Sequence, residues 1–374
     1  MKTPQVSAFT DTYLPTVNGV SYTVQMWHDR WRHHDGTMHV VYPHSSKYEA
    51  GPDEYPVRSF PFPLYDGFRL GMPQIPAVAT TVDIVHSHTP FSVGLGGLRL
   101  ARRREIPFVA SYHTPTSEYA DYVTTNEHTS RLVRSLATQY ESWFLSHADA
   151  IICPSYEARR RLQREIDPSV PLHVLSNGID TTFFRPVCPT EFCESYDLTD
   201  RPLIGYTGRH GYEKNLQTLI RAAASMDGHL VIGGDGPARE NLESLAERLN
   251  VDVTFLGFLP REELPAFYSA LDTFVFPSPV ETQGLVALES IACGTPVVAV
   301  DAGALSETIT DGETGYHYPH GNIEACRQAV YRALENSQRL KTQCIESRSS
   351  LSVNRVLSDL ADIYRHICSY TDSD

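Results

Sequence analysis

Leu203-Ile204-Gly205-Tyr206-Thr207-Gly208-Arg209-His210-Gly211-Tyr212-Glu213-Lys214-Asn215-Leu216 reads as an apolar strand running directly into a glycine-bearing loop and then a helix. The same alternation continues outward from it. His229–Ile232, Val253–Leu256, Thr273–Phe276 and Pro296–Val300 are strand-like, and Leu216–Ala224, Ala238–Leu249 and Leu285–Ala292 between them have helical spacing. Toward the N-terminus, Val6–Phe9, Met38–Tyr42, Val82–His86, Pro107–Tyr112, Ala150–Cys153 and Leu172–Leu175 alternate with helix-length stretches such as Ser21–Arg32 and Arg131–Ser146. Strands alternating with helices predict parallel sheets covered on both faces, the doubly wound α/β class. The restart near residue 201 predicts two such Rossmann-like domains. Asn177-Gly178-Ile179-Asp180, Pro186 and Pro189 interrupt regular structure. The expected division is 1–190, 191–352, and a C-terminal helix with a loose tail over 353–374 that packs back on the first domain.

The 374 residues are 41% hydrophobic, which excludes a disordered or collagen-like chain. No apolar run approaches the roughly 18 residues a membrane span needs. Met1-Lys2-Thr3-Pro4 lacks the apolar core of a signal peptide, so a cytoplasmic location is expected. Seven scattered cysteines read as reduced packing residues. Of 31 bases only Lys2, Lys47, Lys214 and Lys341 are lysines, the deficit expected of a GC-rich or salt-adapted source. Charge is lopsided: residues 1–190 hold 17 bases and 18 acids, residues 191–374 hold 14 and 27. Without a basic footprint, nucleic-acid binding is excluded. A near-neutral first half still permits approach to an anionic membrane.

In doubly wound sheets ligands bind beyond the carboxyl ends of the strands, so a cleft between two such domains is the expected site. Gly208 allows close backbone approach, and Arg209 and Lys214 place two cations near a helix start, which suits a diphosphate. Two surface cations beside a turn is the plainer reading of that spacing. Pro277-Ser278-Pro279-Val280-Glu281-Thr282-Gln283-Gly284-Leu285-Val286-Ala287-Leu288-Glu289 follows a strand and carries two glutamates. Glu281 as a helix-capping acid and Glu289 on a solvated face is the alternative there. Yet Glu289 lies in a mostly apolar stretch, where a carboxylate is costly unless a partner satisfies it. Vicinal sugar hydroxyls are suitable partners.

The Glu281-x7-Glu289 spacing, the Gly208-Arg209-x4-Lys214 loop and the Gly233-Gly234-Asp235-Gly236-Pro237 turn together resemble glycosyltransferase family four. Phe9-Thr10-Asp11-Thr12-Tyr13-Leu14-Pro15-Thr16-Val17-Asn18-Gly19-Val20, Asp83-Ile84-Val85-His86-Ser87-His88 and Tyr112-His113-Thr114 extend the resemblance over nearly the whole chain. It implies the GT-B fold and a retaining transfer from a nucleotide-diphosphate sugar. Residue by residue, it implies that Glu289 holds the ribose and Glu281 the sugar hydroxyls. Backbone amides around Gln283, Gly284 and Leu285 would contact sugar or phosphate. Arg209 and Lys214 would neutralise the diphosphate, with Gly19 packed against it, and His113 would reach the sugar. Where family members often have Gly-Gly before a glutamate, this chain has Gly303-Ala304-Leu305-Ser306-Glu307, so no role is carried over to Ala304 or Glu307.

No metal is expected: the only Asp-x-Asp is the terminal Asp372-Ser373-Asp374, and the two cations replace what Mg²⁺ does elsewhere. The histidines show no paired zinc spacing. His86 and His88 alternate on a strand and are read as facing opposite sides, one of them packing. For the acceptor, Ser59-Phe60-Pro61-Phe62-Pro63-Leu64-Tyr65-Asp66-Gly67-Phe68-Arg69-Leu70 is an aromatic loop. Arg99, Arg102, Arg103, Arg104 and Arg159, Arg160, Arg161, Arg164 are two basic clusters. Such features suit a peripheral membrane surface; core packing and solvated helix faces account for each separately about as well. His113 through Val123 and Glu281 through Leu285 resemble the branch that glycosylates diacylglycerol-type lipids, with a polyprenyl-phosphate-linked glycan as a related acceptor. A soluble sugar acceptor, a nucleotide-sugar epimerase and a non-catalytic binder are the other readings.

Overall fold

The computed structural model describes residues 3–62, 68–116, 127–198 and 201–371. Pro63–Gly67 of the aromatic loop, Ser117–Val123 and Asp372-Ser373-Asp374 therefore lie outside the described residues. The chain forms two compact units, Met1–Gly178 with Val353–Asp374, and Ile179–Ser352.

The first unit holds β1 (Val6–Phe9), β2 (Met38–Pro43), β3 (Glu54–Val57), β4 (Ser59–Pro61), β5 (Arg69–Gly71), β6 (Ile84–Ser87), β7 (Phe108–Ser111), β8 (Ala150–Cys153) and β9 (Leu172–Val174). Seven of them make one sheet in the order β3-β2-β1-β6-β7-β8-β9. All its pairs are parallel, whereas β4 and β5 form a separate antiparallel pair. The second unit holds β10 (Leu203–Thr207), β11 (His229–Gly233), β12 (Val253–Gly257), β13 (Thr273–Phe276), β14 (Val297–Val300) and β15 (Gly315–Tyr318), ordered β12-β11-β10-β13-β14-β15 and also parallel. β1, β6, β7, β8, β10, β11, β13 and β14 are buried along their whole length, which is why they read as continuous apolar runs rather than alternating ones. Strand order reverses between β1 and β6 in the first sheet and between β10 and β13 in the second.

One domain boundary differs from the sequence reading. The second unit begins at Ile179, ahead of position 191, because Phe184 and Phe192 pack into its core and the Ile179 N–H donates to Leu351 O at 2.8 Å. The helix Val353–Thr371 contributes Leu357, Leu360 and Tyr364 to the same core cluster as Trp27 and Trp31 of the first unit.

Trp27, on the helix Gly19–Trp31, is fully buried and donates from Nε1 to Asn177 O at 2.9 Å. Each unit has its own core. Trp27→Ala is therefore expected to lower the stability of the first unit by about 3–5 kcal/mol. The transition of the second unit should stay in place, as followed by urea unfolding with hydrogen exchange resolved by segment.

Candidate active site

The loops that follow β10 and β13 flank the reversal of strand order in the second sheet, where open α/β sheets bind ligands. Lys214 arrives from the first of them and Glu281 from the second. Their Nζ and Oε1 are 2.6 Å apart, with side chains 22% and 14% exposed. Burial alone would lower the Lys214 ammonium, but the Glu281 carboxylate more than offsets it and its pKa is raised. Arg209 is bound by Glu213 one turn further on. Both cations singled out in the sequence therefore have a carboxylate partner.

Gly208 sits at the end of β10 with φ 146. The glycine turn after β11 lies against it so closely that a Cβ on Gly234 (φ 103) would stand 1.9 Å from Gly208 O. The fully buried His210 joins the same contact, its Nε2 3.2 Å from Gly233 O and its own N–H donating to Asp235 O at 2.8 Å. Gly284 precedes the helix Leu285–Ala292 in the left-handed region, with φ 82. That turn leaves the first N–H groups of the helix, beginning at Leu285, facing outward from its start. Gln283 is 6% exposed, and its carbonyl accepts from Thr308 Oγ1 at 2.7 Å. Ala304 takes its place in the same loop cluster, donating its N–H to Glu281 O at 3.1 Å.

Glu289 is 7% exposed on that helix. The fully buried Tyr268 donates its hydroxyl to Oε2 at 2.8 Å, and Oε1 has no hydrogen bond among the described residues. Burial raises the carboxyl to about 7, against the pull of the Arg261 charge and the Tyr268 hydroxyl. Arg261 is itself stacked on Phe183 and Phe184, 5.5 and 5.2 Å from the ring centroids. Sequence reading missed Tyr268 and Arg261, which stand on another helix and a short helical turn and have no local spacing to betray them.

In the first unit the corresponding reversal brings together the loops after β1 and β6. Asp11 is almost fully buried and caps the helix Ser92–Arg104: Val93 N–H donates to Oδ1 at 2.8 Å, Thr89 Oγ1 to Oδ2 at 2.8 Å, and Gly94 N–H to Oδ2 at 3.2 Å. Burial raises its carboxyl, and these donors act in the opposite sense. Gly19 opens the helix Gly19–Trp31 in an exposed position, after Asn18 whose Oδ1 accepts from Ser21 N–H at 2.9 Å. His113, beyond the end of β7, lines a pocket with His88, Thr89, Thr114 and Glu141. Burial lowers its pKa to about 4. Glu141 is raised by burial to about 7, although Thr116 donates to it. His86 and His88 do not face opposite sides. Residues two apart on a strand share a face, and their rings stack at 4.2 Å. No group of three or more histidines, cysteines or acids is placed to hold a metal among the described residues.

Sequence comparison decides the family. Residues 17–183 match the profile described as Glycosyltransferase Family 4, and residues 191–349 match Glycosyl transferases group 1. The chain is 30% identical to an alpha-monoglucosyldiacylglycerol synthase of Streptococcus pneumoniae, over 87% of this chain and 78% of that protein. The chain belongs to glycosyltransferase family four. This family-four transferase is also 34% identical to a GDP-mannose-dependent phosphatidylinositol monomannoside mannosyltransferase of Mycolicibacterium smegmatis, over 54% of this chain and 57% of that one. Its fold matches sucrose-phosphate synthase of Thermosynechococcus elongatus with a TM-score of 0.80 at 22% identity, covering 98% and 100% of the two chains. The two parallel sheets are thus those of a GT-B glycosyltransferase.

Glu289 links protonation to the stability of this transferase. Its carboxyl titrates near 7 when folded and near 4.5 when unfolded, so the native state binds the extra proton between those values. Stability from this group is present at low pH and lost as pH rises from about 4.5 to 7, by roughly 3 kcal/mol. Glu289→Gln should remove that loss. Its stability relative to the wild type, measured by urea unfolding, should rise across this window.

Proposed function

We propose that the enzyme moves a hexosyl group, with retention of configuration, from a nucleotide-diphosphate sugar to a lipid acceptor at an anionic membrane surface. The observation that carries the acceptor is a face of the first unit where apolar side chains stand beside unpaired arginines. The helix Glu127–Leu145 leaves Leu132, Leu136 and Trp143 at 62%, 56% and 47% exposure. Trp143 shares a shallow pocket with Leu95, Leu98, Arg99, Arg102 and Arg103. None of Arg99, Arg102, Arg103 and Arg104 has an acidic partner among the described residues. The second basic cluster is different: Glu157 takes Arg160 at 2.9 Å and Arg164 at 2.8 Å, and Glu165 takes Arg161 at 2.8 Å. It is a self-neutralised helix face, so membrane approach is assigned to the first cluster alone. The glycolipids in the names of two relatives, a product in one and an acceptor in the other, support the same reading. No described helix is long and apolar enough to cross a membrane, and the attachment we propose is peripheral.

On the donor side, Glu289 Oε1 accepts the ribose hydroxyls while Tyr268 occupies Oε2. The amides from Gln283 to Leu285 and the side chain of Glu281 hold the sugar. Arg209 and Lys214 take the diphosphate, exchanging part of their bond to Glu213 and Glu281 for it. As the anomeric bond lengthens, charge builds on the phosphate, and cations already in place stabilise that state more than the ground state. Gly19 and His113 are assigned to the diphosphate and the sugar. The acceptor hydroxyl attacks the face the nucleotide leaves, and a donor phosphate oxygen takes its proton.

Lys214→Ala is expected to lower kcat about 10²–10³-fold with a fold unchanged by circular dichroism. Product of inverted anomeric configuration by NMR would overturn the retaining assignment. The protein should sediment with phosphatidylglycerol vesicles at low salt, be released near about 0.5 M salt, and lose binding in an Arg99→Gln, Arg102→Gln, Arg103→Gln variant. Absence of any sedimentation, with transfer to a soluble sugar intact, would sink the lipid acceptor.

A further inference from the structure

Three buried histidines of the first unit form a stack that ends at the pocket. The His86 and His88 rings lie 4.2 Å apart, and those of His88 and His113 lie 5.4 Å apart at 13°. His88 Nδ1 is 3.1 Å from His113 Nε2. His86 anchors the far end, its Nδ1 on the Tyr364 hydroxyl and its Nε2 on Ser111 Oγ at 2.8 Å. Trp27 meets His88 edge to face at 5.6 Å. Held between His86 and Trp27, the His88 ring has little freedom to tilt. His88 Nε2 is buried with no hydrogen-bond partner among the described residues.

That unpartnered nitrogen decides where the protons are. Burial holds all three rings neutral, so His88 and His113 share one proton across their contact. Were His113 Nε2 the donor, His88 would accept at Nδ1 and its own proton would sit on Nε2, a buried N–H with nothing to receive it. Orphaned buried N–H groups are the rarer and costlier case. With the proton on His88 Nδ1, the contact is made and Nε2 is a bare ring nitrogen. His113 Nε2 then accepts, and its proton lies on Nδ1, the nitrogen left to meet a ligand. The hydrogen bond made by one ring nitrogen sets the state of the other.

Resting on the reading that His113 meets the sugar, we propose that His88 is a positioning residue that fixes His113 as its Nδ1–H tautomer, so that the pocket offers a hydrogen-bond donor to a sugar oxygen. Neutral histidine in water favours the Nε2–H form, so the assignment opposes the ring's own preference.

The test is ring nitrogen NMR on the full chain labelled with ¹⁵N-histidine, beside steady-state kinetics. The wild type should show His113 protonated at Nδ1. His88→Ala removes the donor and opens its space to the pocket that His88 and His113 both line, where water can accept from His113 Nε2. It should return His113 to Nε2–H and lower kcat/KM about tenfold, one hydrogen bond's worth. His88→Asn places an amide N–H where Nδ1–H stood and should restore both the tautomer and most of the rate. An Nε2–H tautomer in the wild type, or a His113 signal unmoved by His88→Ala, overturns the proposal even if a variant folds poorly. Wild-type transfer by His113→Ala would instead remove the sugar contact itself, leaving the tautomer result to stand on its own.

Discussion

Parallel strands deliver every loop that follows a strand to one edge of the sheet, and a reversal of strand order opens a crevice in that edge. This constraint organises both units. In the second sheet the reversal separates the loops after β10 and β13, and the Lys214–Glu281 pair bridges them at 2.6 Å. In the first it separates the loops after β1 and β6, and Asp11 bridges them through Thr89 and the first amides of the next helix. Each crevice is thus tied across by a carboxylate from one side meeting a cation or N–H donors from the other. The chemistry collects there because no other part of a doubly wound sheet brings the ends of distant segments so close.

A site for a polyanion would be costly to keep as naked buried cations, since desolvating an unpaired charge exceeds what most folds tolerate. Pairing Lys214 with Glu281 and Arg209 with Glu213 removes that cost, so the site carries no formal excess of charge. Glu289 meets the same problem differently. With one oxygen on Tyr268 and the other unbonded, its carboxyl relieves burial by titrating near 7. Ribose hydroxyls would supply the missing donors and favour the ionised form. Donor affinity and the charge of this residue are then two faces of one equilibrium.

Strands and helices were legible wherever their apolar runs are continuous: Val6–Phe9, Ala150–Cys153 and Thr273–Phe276 carry the same bounds in sequence and structure. Short strands of mixed burial such as Glu54–Val57 were not, because Glu54 and Pro56 break the run. The glycine turns were visible as motifs, but their reason was not: Gly234 touches Gly208, and that contact exists only once β10 and β11 pair. Partners far apart in sequence were hidden altogether, Tyr268 from Glu289 and Asp11 from Val93 among them. The His86–His88 error is of another kind. A period of two puts alternate residues on one face, so their stacking was available from the sequence.

The two arginine clusters show how local chemistry divides features of similar composition. Glu157 and Glu165 lie within one or two turns of Arg160, Arg161 and Arg164, at spacings that meet on a helix surface. The helix Ser92–Arg104 offers its arginines no such acid and ends instead in three consecutive bases. Those bases stand at the helix C-terminus, where the backbone dipole favours them, so they need no carboxylate to be held there. An intramolecular partner would have to be displaced before a lipid phosphate could bind; a helix end has none to displace. The cluster stabilised by its own backbone is therefore the one whose side chains have no intramolecular acid to give up, and the exposed ring of Trp143 stands beside it.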